Sequence, residues 1–349
     1  MIDGKFGFGI VGCGLVSAFH GKAINATEEA RLVAAVDLDR QRLDNFCAEY
    51  GAEAAPSFEA MLADDRIDIL NVLTPNAYHA QFAVPAMQAG KHVIIEKPPE
   101  MTLEKVDQMI AARDQNGVKC AISLQVRFRK PVEAIKAAIA SGRFGRLLHG
   151  DTYMKWFRAT DYYLMDDWRS KREEGAGVTI QHAFHYIDLL HHLMGEVASV
   201  RAYMYNLAHP EVELEDTLLA FLEYGNGAKG VVQGSTALFP GTDVRIEING
   251  ENGTAIMQGE RIVVWDFKDE QPGDEEIRSV GSEAVKTAAG GAADFAYFEH
   301  QYMTQDLLDA IKSDGEPRVT LETARGSLEV ALAMYRSADN DEAVSLPLS

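Results

Sequence analysis

Phe6 to Asp37, FGFGIVGCGLVSAFHGKAINATEEARLVAAVD, reads as strand, glycine loop, helix and second strand, with an acid closing the second strand. Phe6, Phe8, Ile10 and Val11 make an apolar run of strand length. It breaks at Gly12-Cys13-Gly14-Leu15-Val16-Ser17, and helix-compatible residues follow to about Asn25. In such a G-x-G-x-x-G/S loop the first glycine makes the turn and the second lets backbone approach a pyrophosphate, which sits on the free N–H groups at the helix N-terminus. Ser17 replaces the third glycine, which affects the closeness of packing rather than the phosphate contact. Arg31 to Asp37 is an apolar strand ending in a carboxylate at the distance where an acid hydrogen-bonds an adenosine ribose. A carboxylate there repels a 2′-phosphate, so NAD is expected over NADP, with nearby Arg40 softening the preference.

The chain has 349 residues, enough for two domains with their own cores. With 47% hydrophobic and 25% charged residues it has the composition of a soluble globular protein. A formal charge of −20 argues against a nucleic-acid or anionic-membrane surface, so a small-molecule substrate is expected. Cys13, Cys47 and Cys120 are scattered without CxxC spacing, which implies a reducing compartment. No basic, signal-like N-terminus and no apolar run of spanning length is present, and a cytoplasmic protein is expected.

Downstream, strands and helices alternate: a helix over 40–50 stopped by Gly51, a short helix capped by Ser57, a strand over 67–73, a helix over 77–89 that Pro85 should break or kink, and a strand over 91–95. A helix over 103–115 and a strand over 118–126 complete a doubly wound parallel sheet. Gly12, Asp37, Thr74-Pro75-Asn76 and Glu96-Lys97 all fall at the C-terminal ends of expected strands, where open α/β sheets bind ligands. Past Val126 come a helix from Pro131, a long strand over 147–157, an irregular polar stretch over 161–177 and a helix reaching Met194. Six strands then follow without intervening helices, so a large, mainly antiparallel sheet is expected, with one face free to pair with a second subunit. Residues 269–293 read as a loop, and two helices close the chain. The expected division is an α/β Rossmann domain over 1–126 and an α+β domain with an open sheet over 127–349.

Two stretches carry the chemistry. Glu96-Lys97-Pro98-Pro99 places an ammonium at the crevice mouth, suited to stabilising a substrate oxygen as it becomes an alkoxide. In the helix after Gly177, Gln181, His185 and Asp188 are spaced by four and three and share one face. That face offers a base (His185), a hydroxyl anchor (Gln181) and a carboxylate to orient the base (Asp188). A metal set of His182, His185, Asp188 and His192 fails on distance, because His182 and His192 lie about 15 Å apart along a helix, so no metal is expected. His191 and His192 read as a solvated or packed helix end.

The glycine loop, TPNAYH at Thr74 to His79, IEKPP at Ile95 to Pro99, WRSK at Trp168, GVTIQHAFHYIDLL, and NGAKG followed by GSTALFPG together resemble the Gfo/Idh/MocA oxidoreductases almost end to end. The resemblance implies an NAD(P)-dependent dehydrogenase of sugars or polyols, with Lys97 and His185 as the catalytic pair and Asp188 in support. Thr74, Asn76, His79 and Glu96 would border the cofactor, joined by Pro75 and Pro98, while Arg169, Gln181 and His182 would meet substrate. Many members carry Asp where Gln181 stands, so the base role falls on His185 here. The family usually forms dimers or tetramers through the open sheet face. The expected reaction is hydride transfer between nicotinamide and a secondary hydroxyl of a sugar, sugar acid or cyclitol. The alternatives are a UDP-sugar or UDP-uronate 3-dehydrogenase and, from another class, an NAD-binding sensor without turnover.

Overall fold

The computed structural model describes residues 4–175, 177–281 and 296–348. Its first elements are β1 (Phe6–Val11), α1 (Ser17–Ala26), β2 (Ala30–Val36), α2 (Arg40–Tyr50), β3 (Glu53–Ala54), α3 (Phe58–Leu62), β4 (Ile69–Val72), α4 (His79–Gln88), β5 (His92–Glu96), α5 (Leu103–Asn116) and β6 (Cys120–Ser123). The six strands form one parallel sheet in the order β3-β2-β1-β4-β5-β6. The order reverses between β1 and β4, so the loops leaving those strands flank the topological switch point. Local chemistry sets the helix ends: Asp39 accepts from the Gln41 and Arg42 amides, Ser57 from Ala60, and Gly51 and Gly117 close α2 and α5 with left-handed backbone.

Pro85 does not break its helix. A 3-10 turn at Asn76–Tyr78 leads into α4, which runs through Pro85 to Gln88. The proline costs one i→i−4 hydrogen bond late in the helix, and the burial of Ala83, Ala86 and Met87 beside it holds the segment in place.

The later elements are α6 (Lys130–Ala140), β7 (Leu147–Lys155), α7 (Thr160–Leu164), α8 (Phe184–Met194), β8 (Val197–Tyr205), β9 (Thr217–Tyr224), β10 (Lys229–Ser235), β11 (Arg245–Gly250), β12 (Gly253–Gln258), β13 (Arg261–Phe267), α9 (Asp274–Arg278), α10 (Phe298–Ser313), α11 (Leu321–Asn340) and β14 (Val344–Ser345). Eight strands form a second sheet, β13-β12-β11-β7-β10-β9-β8-β14, antiparallel except where β10 runs parallel to β7. On β8 and β9 the alternation leaves Tyr203, Leu219 and Phe221 exposed on one face.

Two compact units emerge, but they are not consecutive. Residues 296–325, with α10, join the first 125 residues, and the second unit takes up the chain at Val126 and again from Gly326. Sequence order alone assigned residues 296–325 to the second domain. Gln301 donates to the Ala26 carbonyl, Lys312 pairs with Glu29, and the Ile122 amide donates to the Val319 carbonyl, which ties them to the first sheet's layer. Within the expected 269–293 loop, α9 forms because the Asp274 carboxylate accepts from Trp265 Nε1 at 2.8 Å and pairs with Arg143. The remainder of that loop, 282–293, lies outside the described residues. Among the described residues no helix is long and apolar enough to cross a membrane.

Candidate active site

In the first unit the crevice is built largely from backbone. Gly12 has φ +98°, and a Cβ there would lie 2.8 Å from the Leu73 carbonyl oxygen, so the turn between β1 and α1 admits only glycine. A Cβ on Gly14 would meet nothing within 4 Å, which leaves the loop face open for a pyrophosphate to approach. Leu15 is exposed, Val16 is the N-cap residue of α1, and buried Ser17 turns its hydroxyl back onto the Gly14 carbonyl at 2.7 Å. Ser17 therefore closes the loop on itself.

Asp37 is half-buried past the end of β2. Its Oδ2 accepts from the Cys13 amide at 2.6 Å and its Oδ1 from the Asp39 amide at 2.7 Å. The carboxylate is thus locked to the glycine loop. Burial first, then the Asp37 charge, pushes the Cys13 thiol up to about 12, so it stays protonated and inert. Arg40 pairs along its own helix with Asp44 at 2.9 Å, which engages the cation that would otherwise favour a 2′-phosphate.

His79 is fully buried, and its ring nitrogens lie 2.9 Å from the Pro98 carbonyl and 3.0 Å from the Thr74 carbonyl. It staples the Thr74-Pro75-Asn76 loop to the Lys97-Pro98 loop, so its side chain supports the crevice from beneath rather than lining it. Burial lowers its pKa. Asn76 and Lys97 are both buried. Glu96 also points inward: Oε1 accepts from His20 Nε2 at 3.0 Å and Oε2 from the Lys97 amide at 3.3 Å. Burial raises the Glu96 pKa, but the hydrogen bond from His20 and the electrostatic influence of the His20, His300 and Lys97 side chains around it outweigh this and hold the carboxyl well below the usual range. The resemblance placed Glu96 beside the cofactor; its carboxylate instead faces the histidines.

In the second unit the site is built from side chains. Its helix does not start as an α-helix: Thr179–Ala183 is a π-helical turn, continuing into α8. A wider turn carries Gln181 round the axis relative to α spacing, so the expected common face with His185 and Asp188 is altered. Two features hold this start. Gly177 has φ +99° and a Cβ there would lie 2.5 Å from Glu215 Oε2, while Glu215 Oε1 accepts from the Thr179 amide at 3.0 Å and from Tyr335 Oη at 2.7 Å.

Gln181 Nε2 donates to Tyr162 Oη at 3.4 Å, and Arg169 Nη1 donates to the same oxygen at 2.9 Å while its Nε binds Asp166 at 3.0 Å. His182 packs 5.4 Å from the Tyr162 ring and 6.0 Å from Trp156. Arg158 stacks 5.0 Å from the Trp156 ring and 5.7 Å from Tyr162, and burial lowers its pKa. His185 stands half-buried one turn on. Tyr162 and Arg158 were not singled out from sequence; the signal was the aromatic and basic density of WFR and DYY beside the irregular stretch.

Asp188 has a different partner from the one expected. Arg127 donates to it twice, at 2.7 and 2.5 Å, and Ser327 at 2.6 Å, all fully or nearly buried. Its carboxylate anchors α8 to Arg127 and Ser327, so orientation of His185 is not where its hydrogen bonds go. His192 is pushed down to about 4 by burial and by the charges of Arg127 and Lys136, in keeping with a packed helix end. Among the described residues, His182, His185, Asp188 and His192 form no metal-holding group; His20, Glu96 and His300 do.

A parallel sheet in this strand order, a glycine loop open at Gly14 and an acid held against that loop past the end of β2 define a dinucleotide-binding fold. Residues 6–124 match the oxidoreductase family with an NAD-binding Rossmann fold, and residues 132–256 the GFO/IDH/MocA C-terminal domain. The chain belongs to the GFO/IDH/MocA oxidoreductases. It is 33% identical to the WlbA dehydrogenase of Bordetella pertussis, solved with NADH and UDP-GlcNAcA, over 100% of both chains with a TM-score of 0.90. It is 30% identical to WlbA of Chromobacterium violaceum over 100% of this chain and 98% of that one, again with a TM-score of 0.90. The inositol 2-dehydrogenase of Rhizobium meliloti is 26% identical over 260 residues, covering 73% of this chain and 76% of that one.

Proposed function

We propose that the protein is a dehydrogenase that oxidises a secondary hydroxyl on a UDP-linked sugar acid with NAD. The observation that carries this is the 33% identity, over the whole of both chains, to an enzyme crystallised with NADH and UDP-GlcNAcA. The second unit supports it. Arg158 and Arg169 both stack on Tyr162, bringing two guanidinium groups to the helix that carries Gln181, His182 and His185. In a chain of net charge −20, that local basic density suits a carboxylate or diphosphate.

Bound on the glycine loop, the nicotinamide supplies the hydride acceptor. Lys97 Nζ hydrogen-bonds the reacting oxygen and stabilises negative charge on it; His185 takes the hydroxyl proton as the C–H bond breaks. Gln181 cannot accept a proton and anchors a neighbouring hydroxyl. Thr74, Asn76 and Pro98 shape the crevice, with Asp37 on the ribose. The free thiols Cys13, Cys47 and Cys120 suit a cytoplasmic enzyme, and the exposed Tyr203, Leu219 and Phe221 suit a homodimer or homotetramer through the second sheet.

The test is NADH absorbance with UDP-linked hexuronic acids, free sugars, sugar acids and cyclitols, with NAD and with NADP. Turnover on UDP-linked acids with NAD is expected. Turnover confined to cyclitols or free sugars would replace this substrate with the broader family chemistry, and tight NAD binding without turnover on any of them would favour a sensor.

A further inference from the structure

His20, Glu96 and His300 come from three separate elements of the first unit, the middle of α1, the end of β5 and the first turn of α10. All three are buried, and each offers a ligating atom within 4.8 Å of the other two. The hydride-transfer chemistry uses none of these side chains. Two polar atoms in the cluster are orphaned: His300 Nδ1 and Asn71 Oδ1 are buried and have no hydrogen-bond partner among the described residues. His300 is only 5% exposed and Asn71 0%. Orphaned polar atoms inside a protein call for a bound water or ion.

We propose that His20, Glu96 and His300 hold a Zn2+ ion. Two imidazole nitrogens and one carboxylate oxygen are a donor set that zinc takes with a water in the fourth position. Ligands at about 2.1 Å in a tetrahedron stand about 3.4 Å apart, so a pair at the 4.8 Å bound would close by about 1.4 Å. Asn71 supplies the outer shell. Its Nδ2 donates to His20 Nδ1 at 3.0 Å, which leaves the His20 proton on Nε2, facing Glu96. A half-turn of the amide brings the orphaned Oδ1 to that position. There it accepts the proton on Nδ1, and the Nε2 lone pair is released for the metal; this is the carbonyl-to-histidine support that zinc ligands usually have. Glu96 then keeps Oε2 for the Lys97 amide, so the ion would fix the strand end from which Lys97 projects. This inference is independent of the substrate.

The experiment strips the full-length protein with chelator, dialyses it against Zn2+ and measures metal per chain. About one tightly held Zn2+ per chain is expected in the parent. His300→Phe keeps the ring that stacks on Phe19 but removes the nitrogens, and is expected to bind at least about 100-fold more weakly. Asn71→Leu is expected to weaken binding about 10- to 100-fold. Should His300→Phe fail to fold, the visible spectrum of Co2+-loaded parent protein decides: intense bands of a four-coordinate site support the proposal, weak six-coordinate bands from surface carboxylates overturn it. Equal Zn2+ uptake by the parent and His300→Phe overturns it too.

Discussion

The glycine loop of the first unit and the π-turn of the second are held by different kinds of contact. Around Gly12 and Asp37 the contacts are backbone to backbone or backbone to a single carboxylate, and apart from the approach of Gly12 to Leu73 they come from the stretch between Phe6 and Asp39. Around Gln181 they run through side chains, those of Tyr162, Arg169, Glu215 and Tyr335, with the Thr179 amide as the one backbone donor among them. A backbone site recognises what every dinucleotide shares; a side-chain site varies with the substrate. That difference explains why the chain announces its cofactor and conceals its sugar.

The contrast predicts that chemistry fails hardest where one donor or base is removed and the nucleotide loop is left intact. Lys97→Ala is expected to cut turnover about 10³-fold, and His185→Asn about 10²- to 10⁴-fold, with NAD affinity by fluorescence titration little changed in either. Near-normal turnover in both would remove the assignment of the catalytic pair. Asp188→Ala should act on stability instead. It leaves the buried Arg127 guanidinium without its counter-charge, at a cost of about 3–5 kcal/mol, read as a fall in melting temperature. If Asp188→Ala instead melts like the parent and shifts the pH profile of turnover, Asp188 orients the base after all.

The smallest effect belongs to Glu215. Burial raises its pKa above the unfolded value, so the unfolded chain loses the proton first as pH rises. Stability is therefore greatest below about pH 4.3 for this group, falls as pH climbs through the folded pKa, and is flat above it. Glu215→Gln should flatten that slope in melting temperature against pH and change the substrate KM more than NAD affinity. An unchanged slope would show that the Thr179 and Tyr335 hydrogen bonds fully offset the burial.

Much of the first unit was legible in sequence because its signals are local. Gly51 stops α2, Ser57 caps α3, and the apolar runs of β1 and β2 are bounded by their own turn residues. His79 shows where that legibility ends. Its position in TPNAYH marked it as important, but not that both ring nitrogens would be taken by backbone carbonyls 5 and 19 residues away. Asp188 is similar: an i, i+3 spacing places it near His185 on a helix, whereas Arg127, 61 residues earlier, and Ser327, 139 later, claim its carboxylate. The π-turn had no period of its own to betray it, since Glu215 and Gly177 impose it from the side.

By itself, then, the sequence determined the order of strands and helices, the glycine loop and the acid that closes the second strand, because each is marked by residues within a turn or a strand of one another. Tertiary structure decided the rest: that residues 296–325 complete the first unit, that Asp188 anchors rather than orients, and that His20, Glu96 and His300 converge. Those outcomes depend on which distant groups become buried together. Burial sets whom a polar group must bond, and nothing in a residue's near neighbours along the chain specifies that partner.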